Sequence, residues 1–164
     1  MTITQFLLAR IAEDEAVARA CAEMFPPPWD VADRGWRVRI YASDVTTEDF
    51  ASDDEDATTV RNPVVMEVEP DRRIKDPQWL SERVEHVRRH DPARILAECA
   101  AKRAIVELHV EAVRYVSIGR PEVESLGCET CAGYDGPLTY PCPTLRHLAT
   151  PYAEHPDYDA EWSA

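Results

Sequence analysis

No stretch of this sequence is both apolar and long enough to cross a bilayer, and no charged start runs into an apolar core as a secretory leader would. A membrane role is therefore not expected, and a cytoplasmic address is. Glycine is scarce, five residues against thirteen prolines. That balance speaks against a floppy linker and for stiff connections with sharp helix starts. A Gly-rich phosphate loop, a His-Glu-x-x-His pair and a Ser/His/Asp signature are all missing. So is the His-x-Glu that a zinc deaminase places ahead of its cysteine pair. No catalytic residue is assigned.

Cations are missing from one segment altogether. Asp44, Glu48, Asp49, Asp53, Asp54, Glu55 and Asp56 follow one another with no Lys or Arg between them. The glycine-containing spacing of an EF-hand is absent there, so the segment reads as a solvated acidic loop, residues 42–60, rather than a calcium site. The formal charge of the chain is −13. Residues 71–120 hold eleven Lys/Arg against eight Asp/Glu, and the remainder holds seven against twenty-three. Most of this surface repels duplex nucleic acid, so no direct duplex binding is expected. An acidic surface fits a basic partner or plain solvation.

What is present is cysteine in an odd number. Five cannot all pair within one chain, and in a reducing compartment three clustered thiols read as metal ligands. Cys128-Glu129-Thr130-Cys131 is a C-x2-C pair, and Cys142 follows at the head of a short helical pattern. Such a turn directs two sulfurs to one point, where a structural zinc ion takes two further ligands. His109 is the favoured fourth ligand, because it would tie the tail to the body; His147 is the alternative and His90 a remoter one. Cys21 and Cys99 stand alone in helical patterns and read as small buried hydrophobes. His86 and His90 share a helix face, but Val87, Arg88 and Arg89 between them supply no glutamate base, so they read as surface residues. Arg72, Arg73 and Lys75, with Arg88 and Arg89, offer a local positive patch, for which a solvated face is the simpler account.

The expected fold is α+β and mainly helical. Thr2 and Gln5 have capping-box spacing at the start of an N-terminal helix. Its buried side runs through Ile3, Leu7 and Ile11 and continues to Val17 and Cys21, with Glu13, Asp14 and Glu15 in solvent; Pro26, Pro27 and Pro28 end it. Trp36, Val38 and Ile40 alternate with Arg37, Arg39 and Tyr41, and Val64, Met66 and Val68 with Val65, Glu67 and Glu69. These two strands are expected to pair as an antiparallel hairpin with the arginines facing the glutamates. Asp76-Pro77 and Asp91-Pro92 each open a helix with a carboxylate cap and a first-turn proline. The first buries Leu80, Val84 and Val87. The second is the long central helix, running to about Tyr115 over Ile95, Cys99, Val106, Val110 and Val113. After Gly119 an irregular tail is expected, with one short helix from Pro143 to Ala149 and a final turn from Asp157 to Trp162. The chain reads as a single domain, 1–164, with a body of 1–118 and a zinc-binding tail of 119–164.

The run His90-Asp91-Pro92-Ala93-Arg94-Ile95-Leu96, continued by Ala101-Lys102-Arg103 and Ile105-Val106, resembles a family of small uncharacterised proteins of high-GC Gram-positive bacteria and their phages. The opening Phe6-Leu7 with Glu13-Asp14-Glu15 is similar to that family as well. So is the ending Cys142-Pro143-Thr144-Leu145-Arg146, Pro151-Tyr152-Ala153 and His155-Pro156-Asp157-Tyr158. The resemblance spans nearly the whole chain, though the acidic loop is longer than usual there. It implies that the tail is integral to the fold and that the partner is a host or phage protein. The expected function is a non-enzymatic, zinc-stabilised interaction protein. One alternative is a small metal-dependent hydrolase, in which three cysteines leave an open metal position and Glu129 acts as base. The other is an acidic nucleic-acid mimic.

Overall fold

The computed structural model describes residues 1–33, 38–42, 64–68, 78–116, 123–131 and 140–163. The acidic loop beyond Ala42, the Asp76-Pro77 cap, the basic residues Arg72, Arg73 and Lys75, strand positions Trp36, Arg37 and Glu69, and Gly119 lie outside the described residues, as does the side chain of Leu80. Within them the order is α1 (Ile3–Met24), β1 (Trp29–Asp33), β2 (Val38–Ala42), β3 (Val64–Val68), α2 (Gln78–Arg88), α3 (Pro92–Leu108), β4 (Glu111–Val116), β5 (Val123–Cys128) and α4 (Pro143–Ala149), closed by 3-10 turns at Thr150–Tyr152 and Ala160–Trp162. The class is α+β, as expected. Residues 15–97 form one compact unit, and residues 1–14 with 98–164 form another.

The 15–97 unit is built on a three-stranded antiparallel sheet in the order β1-β2-β3. The expected pairing of β2 with β3 is there, and Arg39 stands opposite Glu67 with Nε 2.7 Å from a carboxylate oxygen. The third strand was not expected. Its signal was short, Trp29 and Val31 alternating with Asp30 just after the prolines. Trp29, Val38, Ile40, Ala42 and Val84 of α2 are buried together, with Cys21, Phe25, Val31 and Met66 packed partly against them. Each large side chain so buried contributes about 1.5–3 kcal/mol. Trp29 also donates its indole N–H to the Phe25 carbonyl at 3.0 Å, so the ring is buried with its polar atom satisfied.

On α2, Glu85 receives two bonds from Arg88, at 2.7 and 2.8 Å, and one from Arg89 at 2.8 Å. These donors, Arg88 foremost, favour the ionised form and bring the carboxyl from its ordinary 4.5 to about 2. Because the folded value lies below the unfolded one, the contribution of this cluster to stability is present above about pH 4 and fades as pH falls toward 2. An NMR titration of the Glu85 side-chain carboxyl is expected to show its midpoint near the low value. Arg88→Ala should move that midpoint upward, and an unmoved midpoint would refute the assignment.

In the second unit, α1 opens as expected. The Thr2 amide donates to Gln5 Oε1 at 3.0 Å and the Gln5 amide to Thr2 Oγ1 at 3.2 Å. Ile3, Leu7 and Ile11 are buried together with Phe6. Further along α1, in the part that belongs to the 15–97 unit, the expected stripe fails at Val17, which is 72% exposed. Six residues beyond Ile11 a helix has turned about 120° away, whereas Ala18, seven residues on, returns to the same side and is buried. Asp14 and Glu15 are also less exposed than expected. Asp14 accepts a bond from the Tyr152 hydroxyl at 2.8 Å. Burial first, and then the Asp14 carboxylate, push the Tyr152 phenol above its ordinary value, so it remains a donor.

Phe6 is ringed by the end of the chain. Tyr152, His155 and Tyr158 meet it edge-on at centroid distances of 6.2, 5.7 and 5.9 Å, and Trp162 lies tilted at 5.1 Å. The buried Arg10 guanidinium sits 5.4 Å over the same ring, donating to Glu13 at 2.7 Å and to His155 Nε2. Its Nε is the one buried side-chain nitrogen or oxygen left without a partner among the described residues.

The long helix is shorter than expected. Asp91 caps α3, accepting from the Arg94 amide at 2.9 Å, but the helix stops at Leu108 and the chain continues as β4. Val110 and Val113, expected in its core stripe, are 39% and 55% exposed. Among the described residues the longest helix is α1, with 22 residues. The valines at 106, 110 and 113 fit a helical period, yet Val113, Tyr115 and Val116 are β-branched or aromatic and take the strand when a partner is available. That partner is β5, inside the segment expected to be irregular.

Candidate metal centre

His109 is the first residue after α3, not a residue on its face. Its amide reaches the Val106 carbonyl at 3.2 Å, a tight closing turn. Two residues later β4 begins, and β4 pairs antiparallel with β5 so that Glu111 stands opposite Cys128. The Glu129 amide donates to the Val110 carbonyl at 2.9 Å, carrying the pairing one step further. This register lays the Cys128–Cys131 turn over the C-terminus of α3. There the Thr130 hydroxyl donates to the Leu108 carbonyl, one of the acceptors a helix end leaves without an internal partner.

Cys142 arrives from α4. It is the N-cap of that helix in an extended conformation, with Pro143 inside the first turn and no capping bond from its side chain. The Arg146 amide donates to the Cys142 carbonyl at 3.1 Å and the Arg146 guanidinium to the Pro141 carbonyl at 3.0 Å. Leu145 and Ala149 have no exposed surface and anchor α4 beneath.

The result is a single cluster. His109 Nδ1 lies 3.3 Å from Cys128 Sγ, 3.3 Å from Cys131 Sγ and 3.5 Å from Cys142 Sγ. The four ligand atoms all lie within 4.8 Å of one another. A neutral imidazole nitrogen has one lone pair and can accept from one thiol, so three sulfurs around one nitrogen are not accounted for by hydrogen bonding. The group can hold a metal ion, and it is the only cluster of three or more potential His, Cys, Asp or Glu ligands among the described residues.

The turn is also prepared electrostatically. Burial opposes ionisation of Cys128, but the Cys131 and Thr130 amides that point at its sulfur, with help from the neighbouring thiols, hold it below the ordinary thiol value. Burial and the thiols of Cys128 and Cys142 push Cys131 up to about 11. Without a cation three thiolates repel one another; a bound cation reverses that relation.

The remaining sequence candidates lie elsewhere. His147 is exposed on the last turn of α4 and outside the cluster. His90 donates Nδ1–H to the His86 carbonyl at 2.6 Å, its ring 4.5 Å from that of His86, and neither ring joins a three-ligand group. Glu129, the conceivable base, is exposed and not among the four. Cys99 is buried and Cys21 half-buried.

A sequence profile of a family of unknown function (DUF6221) matches residues 1–164. No curated protein and no solved structure matches the chain.

Proposed function

Since the chain belongs to the DUF6221 family of unknown function, we propose its role from its own site: a non-enzymatic interaction protein whose C-terminal segment is shaped by a structural zinc ion on His109, Cys128, Cys131 and Cys142. The observation that carries this is the nitrogen-to-sulfur spacing. Zinc bonds of about 2.3 Å to sulfur and about 2.0–2.1 Å to nitrogen separate such ligands by about 3.5 Å in a tetrahedron. The three distances from His109 Nδ1, 3.3, 3.3 and 3.5 Å, sit at that spacing. Thiolates with an imidazole suit zinc and disfavour magnesium or calcium, which prefer oxygen. Four protein ligands fill the tetrahedron, leaving no position for water or substrate, so the ion's work is to hold structure.

The interaction role rests on charge. With −13 overall and the excess acidity outside residues 71–120, the surface favours a basic partner. The sequence resemblance to proteins of high-GC Gram-positive bacteria and their phages supports a host or phage protein as that partner, met in the cytoplasm.

Native mass spectrometry and elemental analysis of the purified chain test the metal. One zinc per chain is expected, with Cys128, Cys131 and Cys142 each needed for full occupancy. Iron in place of zinc, or metal-dependent hydrolysis of a broad ester and phosphate panel, would replace this proposal with a redox or catalytic one. For the partner, the expectation is capture of one basic protein whose binding weakens steeply with salt.

A further inference from the structure

We propose that the metal centre is a peroxide-sensitive latch in which Cys131 is oxidised first and Cys128 closes a disulfide onto it, releasing the ion; this rests on the zinc assignment above. The three cysteines are not equally exposed. Cys128 and Cys142 have no exposed surface, whereas Cys131, at the end of its turn, is partly exposed. A small oxidant therefore meets the Cys131 sulfur first. All ligand atoms lie within 4.8 Å, so a sulfenic acid formed there has a second thiolate at hand.

Anchoring selects which one. Cys142 is held at the head of α4 by the two Arg146 bonds, above the buried Leu145 and Ala149. Cys128 lies in the same turn as Cys131, with Glu129 and Thr130 between, and needs only local adjustment to reach disulfide geometry.

The chemistry balances with a hydroperoxide as oxidant. The Cys131 thiolate attacks one peroxide oxygen, a sulfur–oxygen bond forms and the O–O bond breaks, and the leaving hydroxide takes a proton to become water. The Cys128 thiolate then attacks the Cys131 sulfur. A sulfur–sulfur bond forms, the sulfur–oxygen bond breaks, and a second hydroxide leaves and is protonated. Two thiolates lose two electrons to the peroxide, and zinc keeps its oxidation state. Two of its four ligands are gone, so it departs, and the tie between the turn, His109 and α4 goes with it. A dithiol reductant with added zinc restores the site.

The test uses the full-length zinc-loaded chain, hydrogen peroxide and a chromogenic zinc chelator, with disulfides mapped by mass spectrometry. One zinc released per chain, a Cys128–Cys131 linkage, a free Cys142, and reversal by dithiothreitol plus zinc are expected. Cys131→His keeps a ligand and removes the sulfur of the partly exposed residue, and should slow release by about tenfold or more. Cys99→Ser and Cys21→Ser should leave release unchanged. Zinc and thiols that survive saturating peroxide overturn the latch while leaving the zinc site standing, and so does a disulfide that uses Cys142. A chain that holds no zinc before peroxide is added overturns the zinc assignment itself. The mapping on the unmodified chain decides the pairing even where the Cys131→His variant fails to fold.

Discussion

Replacing Cys142 with serine is expected to empty the metal centre and lower the melting temperature by on the order of 10 °C. The size follows from what a zinc ion in the proposed site would contribute. Structural zinc in small domains supplies about 10–16 kcal/mol of apparent binding free energy at neutral pH, all of it coupled to folding. A chain with a hydrophobic core elsewhere does not depend on it entirely, so about 3–5 kcal/mol is the expected loss, at about 2–4 °C per kcal/mol for a protein of this size. Cys142 is the informative position. It joins α4 to a site otherwise built from the end of α3 and the β5 turn, and its sulfur has no exposed surface and no competing capping bond. Calorimetry with and without a strong chelator makes the measurement. The unmodified chain should fall to the level of Cys142→Ser when chelated, and the variant should not fall further. Equal melting of metal-bound and verified metal-free protein would remove the stabilising role of the ion.

Cys128 and Cys131 were readable as candidate ligands because a C-x2-C turn is a local signal, and the structure gathers them with Cys142 and His109 into a group that could hold a metal ion. The choice of His109 as their companion was favoured for a reason the structure replaces. Sequence suggested a histidine on the flank of a long helix. The structure has that helix ending at Leu108 and a β-hairpin whose register, Glu111 opposite Cys128, delivers the cysteine turn to the residue just past the helix end. Strand pairing is a relation between distant segments. A run such as Val110 to Val116 satisfies helix and strand periods alike until its partner is known. Local devices fared better: the Thr2–Gln5 capping box, the Asp91 cap and the boundaries of α4 were all visible, because each is fixed by neighbours within four residues. The Arg39–Glu67 pairing was legible for a related reason, since alternation fixed which faces the two residues occupy. Val17 was misplaced because a valine was followed on hydrophobicity where the helix angle called for Ala18.

Phe6→Ala is expected to cost about 3–5 kcal/mol, an effect comparable to loss of the metal but reached by a different route. Phe6 has no exposed surface and touches four rings from the last part of the chain, Tyr152, His155, Tyr158 and Trp162. Truncating it opens a cavity at the point where those side chains converge and removes the ring beneath the buried Arg10 guanidinium, which already has one unpartnered nitrogen. Phe6 of the opening motif thus meets Tyr152, His155 and Tyr158 of the closing one in a single cluster. None of these residues belongs to the His109–Cys128–Cys131–Cys142 cluster, so on the zinc proposal the variant should bind one zinc per chain in the cold while melting well below the parent. Cold zinc binding with a lowered melting point would show that the aromatic cluster and the centre stabilise the C-terminal segment separately. Loss of metal at all temperatures would show instead that the cysteine cluster depends energetically on the packing around Phe6, so that the two act as one cooperative unit.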